Sequence, residues 1–462
     1  MESISSLSKV EKVQYSYLFI IGLIILSGFA TAILGIKGLV LSMLGLIGLA
    51  LTPILYDKPK LFLFFALFIY PFTRILPLDD KFIITGALYS LSFPCVFWII
   101  KKYFKTVSNT SFYLWAMVMY VAVILLNYFR PDTSVVELAK TFGLIFFAIF
   151  SILAVHNYIE RDQENIHKLT RYLSYLFNAI AVIAIGQYAT GIGGMVNEGF
   201  YRVRGTFYNF NEYGYALSLF VCFALYVLLT SKKHKFYWIC TIILNIIALA
   251  ATFSKTSIIN TALIFMIMGL FLPWKRKIQL FVASSVMSTL LAVFLIYTGT
   301  LNALILRFMD TASLEWRFAM WRNLYNLILQ GNILLGQGIN ASKHFLDNIV
   351  PLGESNAPHN VYLETAYNFG LIGLIPFIMI FIFLLFQGIS IFMDKGIPEN
   401  HNRIIGTSII VITVITMIQN FVSNAYYDRA ANVIFWVILT LLVCCYKRYK
   451  KEKLQVNTEC QN

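Results

Sequence analysis

Long apolar runs, separated by short polar segments rich in lysine and arginine, recur from residue 17 to residue 446. Each is close to the ~20 residues that a helix needs to cross a bilayer. Together they predict fourteen spans, at 17–36, 38–56, 61–77, 82–100, 112–129, 138–156, 169–190, 212–230, 236–252, 257–273, 278–298, 361–387, 404–424 and 431–446. The runs are continuously apolar rather than alternating, and a helix satisfies its own backbone hydrogen bonds in lipid, so helices are expected rather than barrel strands. The pattern predicts an all-α polytopic membrane protein with one integral membrane domain over 1–462. Pro71, Pro77 and Pro94 are expected to kink or end helices in the early spans.

One interruption differs in length and texture. Residues 299–360 form a large polar loop, within which Glu315 to Gln330 reads as an amphipathic helix with Trp316, Met320, Leu324, Leu327 and Ile328 on one stripe. With Trp316 and Trp321 near its start, that helix is expected to lie at the membrane interface. A second, smaller loop covers 191–211.

Composition agrees with the membrane reading: 59% of the 462 residues are hydrophobic and 13% charged, against about 25% charged in an average soluble domain. Lysine and arginine counting sets the orientation, because short cytoplasmic loops hold the excess of both. The larger share of the 36 falls on one side when both termini are cytoplasmic, so the net charge of +14 is mostly topogenic and not a nucleic-acid footprint. The first span follows Lys9, Glu11 and Lys12, is too long for a signal-peptide core and is expected to stay as an anchor. No cysteine falls in an outer loop, so no exterior disulfide framework is expected, and no zinc-type spacing, calcium loop or nucleotide-binding glycine loop appears. No cofactor or metal is expected.

The cations left on the outer side run against the positive-inside trend, and an anionic ligand is the simplest reason for them. Arg202 and Arg204 stand in Tyr201-Arg202-Val203-Arg204-Gly205-Thr206-Phe207; the alternative is a basic loop touching anionic headgroups. Lys255 follows Ser254 at the start of a span, where snorkelling is the alternative role. Arg317 and Arg322 are five residues apart, ~140° around a helix, so they are not expected to face one ligand. The run Pro358-His359-Asn360-Val361-Tyr362-Leu363-Glu364 opens the next span. His359 is the side chain best suited to accept a proton near neutral pH, and a cap or packed polar residue is the alternative. Asn360 and Glu364, one helical turn apart, orient a site or cap the span. Asp79 and Asp80 read as an exposed pair.

Arg317-x3-Trp321, Gly336-x-Gly338 and His359-Asn360-x-x-Leu363, followed by Gly370-x-x-Gly373, resemble the signature loop of the O-antigen ligase and O-antigen polymerase superfamily. Upstream, Arg202-x-x-Gly205-Thr206-Phe207 is similar to a second family pattern, with Arg202 matched by its spacing to Gly205 and Phe210 standing where the family usually has proline. Lys255 stands where the family usually has arginine, which keeps the charge and loses the two-pronged fork.

The resemblance implies a GT-C-like helical fold in the bacterial plasma membrane, beside the fourteen spans read from the apolar runs. It also implies a metal-independent, inverting glycosyltransferase that uses an undecaprenyl-diphosphate-linked glycan at the outer face. His359 and Arg317 would be catalytic; Arg202, Arg204, Lys255, Arg322, Asn360 and Glu364 would bind substrate. Membrane lipids, a flippase and a chain-length regulator are the implied partners. The motif does not separate a polymerase of lipid-linked repeat units from a ligase acting on lipid A core or protein. The polymerase is preferred because every such polysaccharide needs one. A glycan transporter or flippase is the rival of another class; it would place ionisable residues in its spans and show internal repeats.

Overall fold

The computed structural model describes residues 112–459 apart from 131–134, 198, 232, 273, 298, 340, 343–357, 395–398, 425 and 427. The four predicted spans before residue 112, with Asp79, Asp80 and the early prolines, lie outside the described residues. The rest is mostly helical: α1 Phe112–Leu126, α2 Val135–Arg161, α3 Asn165–Thr190, α4 Phe210–Thr230, α5 Lys235–Ala251, α6 Lys255–Phe271, α7 Trp274–Tyr297, α8 Thr300–Met309, α9 Ala312–Gln330, α10 Val361–Met393, α11 Glu399–Val422 and α12 Arg429–Glu459. Each of the ten predicted spans from 112–129 onward falls on one of these helices.

Six of the helices are long and apolar enough to cross a membrane, at Thr141–Glu160, Asn165–Thr190, Phe210–Thr230, Val361–Met393, His401–Val422 and Ala430–Lys453. Helices α1, α5 and α6 are apolar but shorter. The chain is therefore a multi-pass membrane protein with a mostly helical fold.

Helix α4 sits at the centre, packed against α3, α5, α6, α11 and α12. It is apolar around its whole circumference, and nearly every residue from Tyr213 to Tyr226 is buried, as expected of a helix surrounded by others. Phe177 of α3 stacks flat on Phe220 of α4, ring centres 4.3 Å apart. Polar side chains join the helices inside the bundle: Tyr215 donates to Thr416 Oγ1 at 2.7 Å, and Asn260 Nδ2 donates to Gln419 Oε1 at 2.9 Å. Away from water such bonds fix which helix faces meet. They tie α4 and α6 to the last turns of α11.

The loop before α4 contains an antiparallel hairpin, β1 Met195–Asn197 with β2 Phe200–Arg202, in the register Met195 opposite Arg202. Its strands are three residues long, below what sequence patterning resolves. Gln187 of α3 fixes the following turn, donating to Gly205 O at 2.7 Å and accepting from Gly205 N at 3.0 Å. Gly205 has φ +57, and a Cβ there would strike Ile180, which accounts for glycine in the Arg-x-x-Gly run.

Helix α10 is broken at Gly370, where φ is 63° and ψ is −166°. The loop that follows α9 docks into the break. Gln337 N donates to Tyr367 O at 2.7 Å and Gly338 N to Asn368 O at 2.9 Å, while Leu371 N donates to Ile333 O at 2.9 Å and Ile372 N to Leu334 O at 3.2 Å. The backbone groups freed by the break are thus paired, as non-helical backbone in a membrane span requires. Arg130 clamps the other side of the loop, donating to Leu335 O at 2.8 Å and Gly336 O at 3.1 Å.

The two backbones come so close that a Cβ on Gly336 would collide with Asn368 and Gly370, and a Cβ on Gly370 with Leu334. The Gly336-x-Gly338 signal is therefore half of a backbone clasp, and Gly370 is the other half. Gly370→Ala is expected to destabilise the protein by about 3 kcal/mol, combining a left-handed φ with a backbone collision. Gly186→Ala, with open space around its Cβ, is expected to leave the thermal midpoint in detergent unchanged; equal midpoints for both variants would remove the clasp.

Candidate functional site

Three segments meet at the first residues of α10. Asn360 is the N-cap, with extended φ/ψ of −148° and 101°, and its side chain accepts from Leu363 N at 3.0 Å. This is the cap expected from its position, and at 1% exposure it is buried beneath the corner. His359 precedes it with φ 50°, a left-handed conformation that a non-glycine residue holds only when its surroundings enforce it.

What enforces it comes from α9. Trp321 donates its indole N–H to Pro358 O at 2.8 Å. Its ring stands edge-on to Phe421, 5.1 Å away, and to Phe318, 5.4 Å away. Trp321 is 8% exposed. The indole faces the protein, where its N–H finds a partner. The expected apolar stripe holds otherwise, with Met320 and Leu324 buried and Trp316, Leu327 and Ile328 half-buried as α9 packs on α10.

The same helix separates the two arginines as their spacing requires. Arg317 is half-buried and donates through Nη1 to Val422 O at 3.1 Å, at the end of α11, whereas Arg322 is exposed. Arg317 is brought to His359. Burial, and then the Arg317 guanidinium, hold the imidazole down from 6.5 to about 4. Trp316 closes another side, its ring 6.1 Å from that of His359 and steeply inclined to it. The imidazole is thus neutral near neutral pH and able to accept a proton. Glu364 lies one turn into α10, and its Oε2 is buried without a hydrogen bond.

Two further cations, Arg202 and Lys255, lie at the corner between α5 and α6. Arg202 is 2% exposed. It donates through Nε to Thr252 O at 2.9 Å and through Nη2 to Phe253 O at 3.1 Å and Asn211 Oδ1 at 3.2 Å. Its guanidinium carbon lies 3.3 Å from the centre of the Phe210 ring. Phe210, the departure from the family pattern, is the surface on which Arg202 stacks. Arg202 thereby fixes the turn Thr252-Phe253-Ser254, in which Phe253 has φ 50°, and that turn presents Lys255.

Lys255 donates through Nζ to Asp310 O, between α8 and α9, while the Asp310 carboxylate pairs with Arg307 at 2.7 Å. The joint that leads into α9 is thus tied to the start of α6. Arg204 points elsewhere, donating through Nε to Gly193 O at 3.0 Å within its own loop.

Of the residues expected at a site, the structure unites His359, Arg317 and Asn360 at one corner, and Arg202 and Lys255 at another. It does not bring Arg322 or Arg204 to either. Trp321 and Gln187 support these corners and were missed as such. Trp321 carried a signal, as part of the Arg-x3-Trp pattern.

Residues 240–378 match a family model described as O-Antigen ligase. The match runs from α5 into α10, so it contains Lys255, Arg317, Arg322, His359, Asn360 and Glu364 but not Arg202 or Arg204. No curated protein matches the chain.

Proposed function

We propose that this chain, whose residues 240–378 match the O-Antigen ligase family model, polymerises lipid-linked glycan repeat units at the outer face of the bacterial plasma membrane. The observation that carries the reading is a neutral His359 set beside Arg317 in the matched segment. An acceptor hydroxyl attacks the anomeric carbon of the donor. The new C–O bond forms as the bond to the diphosphate oxygen breaks, the diphosphate leaves with the electron pair, and the hydroxyl proton passes to His359.

Arg317 stabilises the charge that develops on the diphosphate, and Lys255 adds to it once freed from Asp310. Arg202 acts at one remove, by holding the turn that carries Lys255. An imidazole held near 4 is a weak base before substrate arrives. The dianionic leaving group offsets the Arg317 charge, which raises the imidazole toward the pH at which the reaction runs. Attack from the face opposite the leaving group makes the transfer inverting, and two cations plus one base supply this chemistry without a metal.

A ligase is the second reading, favoured by the description of the matching family; it uses the same donor and the same residues with lipid A core or a protein as acceptor. Deleting the gene separates the two. Loss of a polymerase is expected to leave single-repeat glycan on the cell surface, whereas full-length chains accumulating on the carrier would identify a ligase. In either case Asn323→Cys, at an exposed position of α9, is expected to react with a membrane-impermeant thiol reagent in intact cells, or in spheroplasts where an outer membrane intervenes. Labelling only after lysis would put His359 on the cytoplasmic side and overturn the proposal.

A further inference from the structure

From the contacts around Pro358 we infer that Trp321 is a positioning residue for the transfer, acting through the Pro358 carbonyl to hold His359 in its left-handed corner. This deepens the proposed function and rests on His359 being the base. Four observations converge. The indole N–H to Pro358 O bond is 2.8 Å long and buried. It meets the peptide immediately before a residue with φ 50°, which does not hold that conformation unaided. The indole ring is fixed in turn between Phe318 and Phe421, at 5.4 and 5.1 Å, so α9 and the end of α11 both locate it. Arg317, one turn earlier on the same helix face, is tied to Val422 O, the residue after Phe421.

One rigid element therefore sets both partners. Trp321 fixes the backbone under the imidazole and Arg317 sets the charge beside it. Their separation of four residues places them on one face of α9, so a shift of the helix moves base and cation together. On the other side, Asn360 caps α10 and fixes the backbone that follows the imidazole. The bond from Trp321 fixes the peptide that precedes it.

A group that positions the base alters the chemical step more than substrate binding, because the cations that hold the donor stay in place. The test replaces Trp321 by phenylalanine, which keeps an aromatic ring, and separately by benzothienylalanine, which keeps the bicyclic shape and puts sulfur where the N–H was. Turnover is measured on purified protein with lipid-linked repeat units, normalised to folded enzyme. Modification of His359 by diethyl pyrocarbonate is followed by mass spectrometry as a readout that does not depend on catalysis.

Both variants are expected to lower kcat by about tenfold to a hundredfold, to leave KM within about twofold, and to raise the rate of His359 modification severalfold. A loss of folded protein with normal kcat and unchanged His359 modification in the survivors would overturn the inference and leave Trp321 as a packing residue. Failure of the reading it rests on looks different. In that case His359→Ala turns over almost normally, while His359 still becomes more reactive when Trp321 is changed.

Discussion

Replacing His359 by alanine is expected to leave the protein inserted and able to bind the lipid-linked donor, while lowering turnover by about 10²–10⁴-fold. The turn that carries the imidazole is held by the side chains of Trp321 and Asn360, which bond backbone atoms. The substitution therefore removes a proton acceptor and leaves those two bonds in place. The pH profile carries the same information with its sign fixed. The native group is held at about 4, below its ordinary 6.5. The neutral, proton-accepting form thus persists as pH falls through 6.5 and is lost only near 4. The acid limb of kcat/KM, which reports the free enzyme, is expected near pH 4. The limb of kcat is expected higher, because bound diphosphate offsets Arg317.

Stability moves in the same direction. The unfolded chain takes up a proton at His359 below about 6.5, whereas the native chain does so only near 4. Whatever this group adds to stability at neutral pH is lost progressively across that window as pH falls. His359→Ala removes the dependence. Near-normal turnover per folded molecule in this variant would take the base out of the mechanism. Suspicion would then pass to Glu364, whose Oε2 is buried without a hydrogen bond, or to a hydroxyl that loses its proton unaided.

The two corners also differ in what they can tolerate. Arg202 is committed to carbonyls that shape a turn, so its charge is spent within the protein before any ligand arrives. Lys255 donates to the Asp310 carbonyl across the joint between α8 and α9. The same physical argument that brought both to attention, cations on the outer side, thus covers two groups that the protein's own backbone engages at different places.

Much of the architecture was legible because it depends on local pattern. Continuous apolar runs marked the helices after residue 112, and an asparagine just before an apolar run marked Asn360 as a cap. Helical spacing alone separated Arg317 from Arg322. What was not legible depends on partners distant in sequence. Gly370 reads as part of a glycine motif without a visible partner until Gly336 and Leu334 are seen against it. Arg202 reads as a ligand-binding cation until the carbonyls of Thr252 and Phe253 are found on its guanidinium. Trp321 reads as an interface residue because sequence shows its ring and not the carbonyl its N–H reaches. The left-handed turn at His359 has no local signature, since histidine does not choose that conformation by itself.

Arg317 carries two separable contributions, and two substitutions divide them. Its fork can make paired contacts with diphosphate oxygens, each charge-assisted bond contributing on the order of 1.5–3 kcal/mol. Lysine keeps the charge and loses the fork, so Arg317→Lys is expected to lower transfer by roughly tenfold or more while leaving the acid limb of kcat/KM near 4. Methionine removes the charge as well. Because the guanidinium is the second cause of the lowered imidazole and burial is the first, Arg317→Met is expected to move that limb upward from 4, but to stop short of 6.5. The two measurements fail independently. Full transfer in Arg317→Lys would reduce the fork to diffuse charge. An unmoved limb in Arg317→Met would show that His359 does not feel this residue, and would separate the cation from the base that it is here proposed to serve.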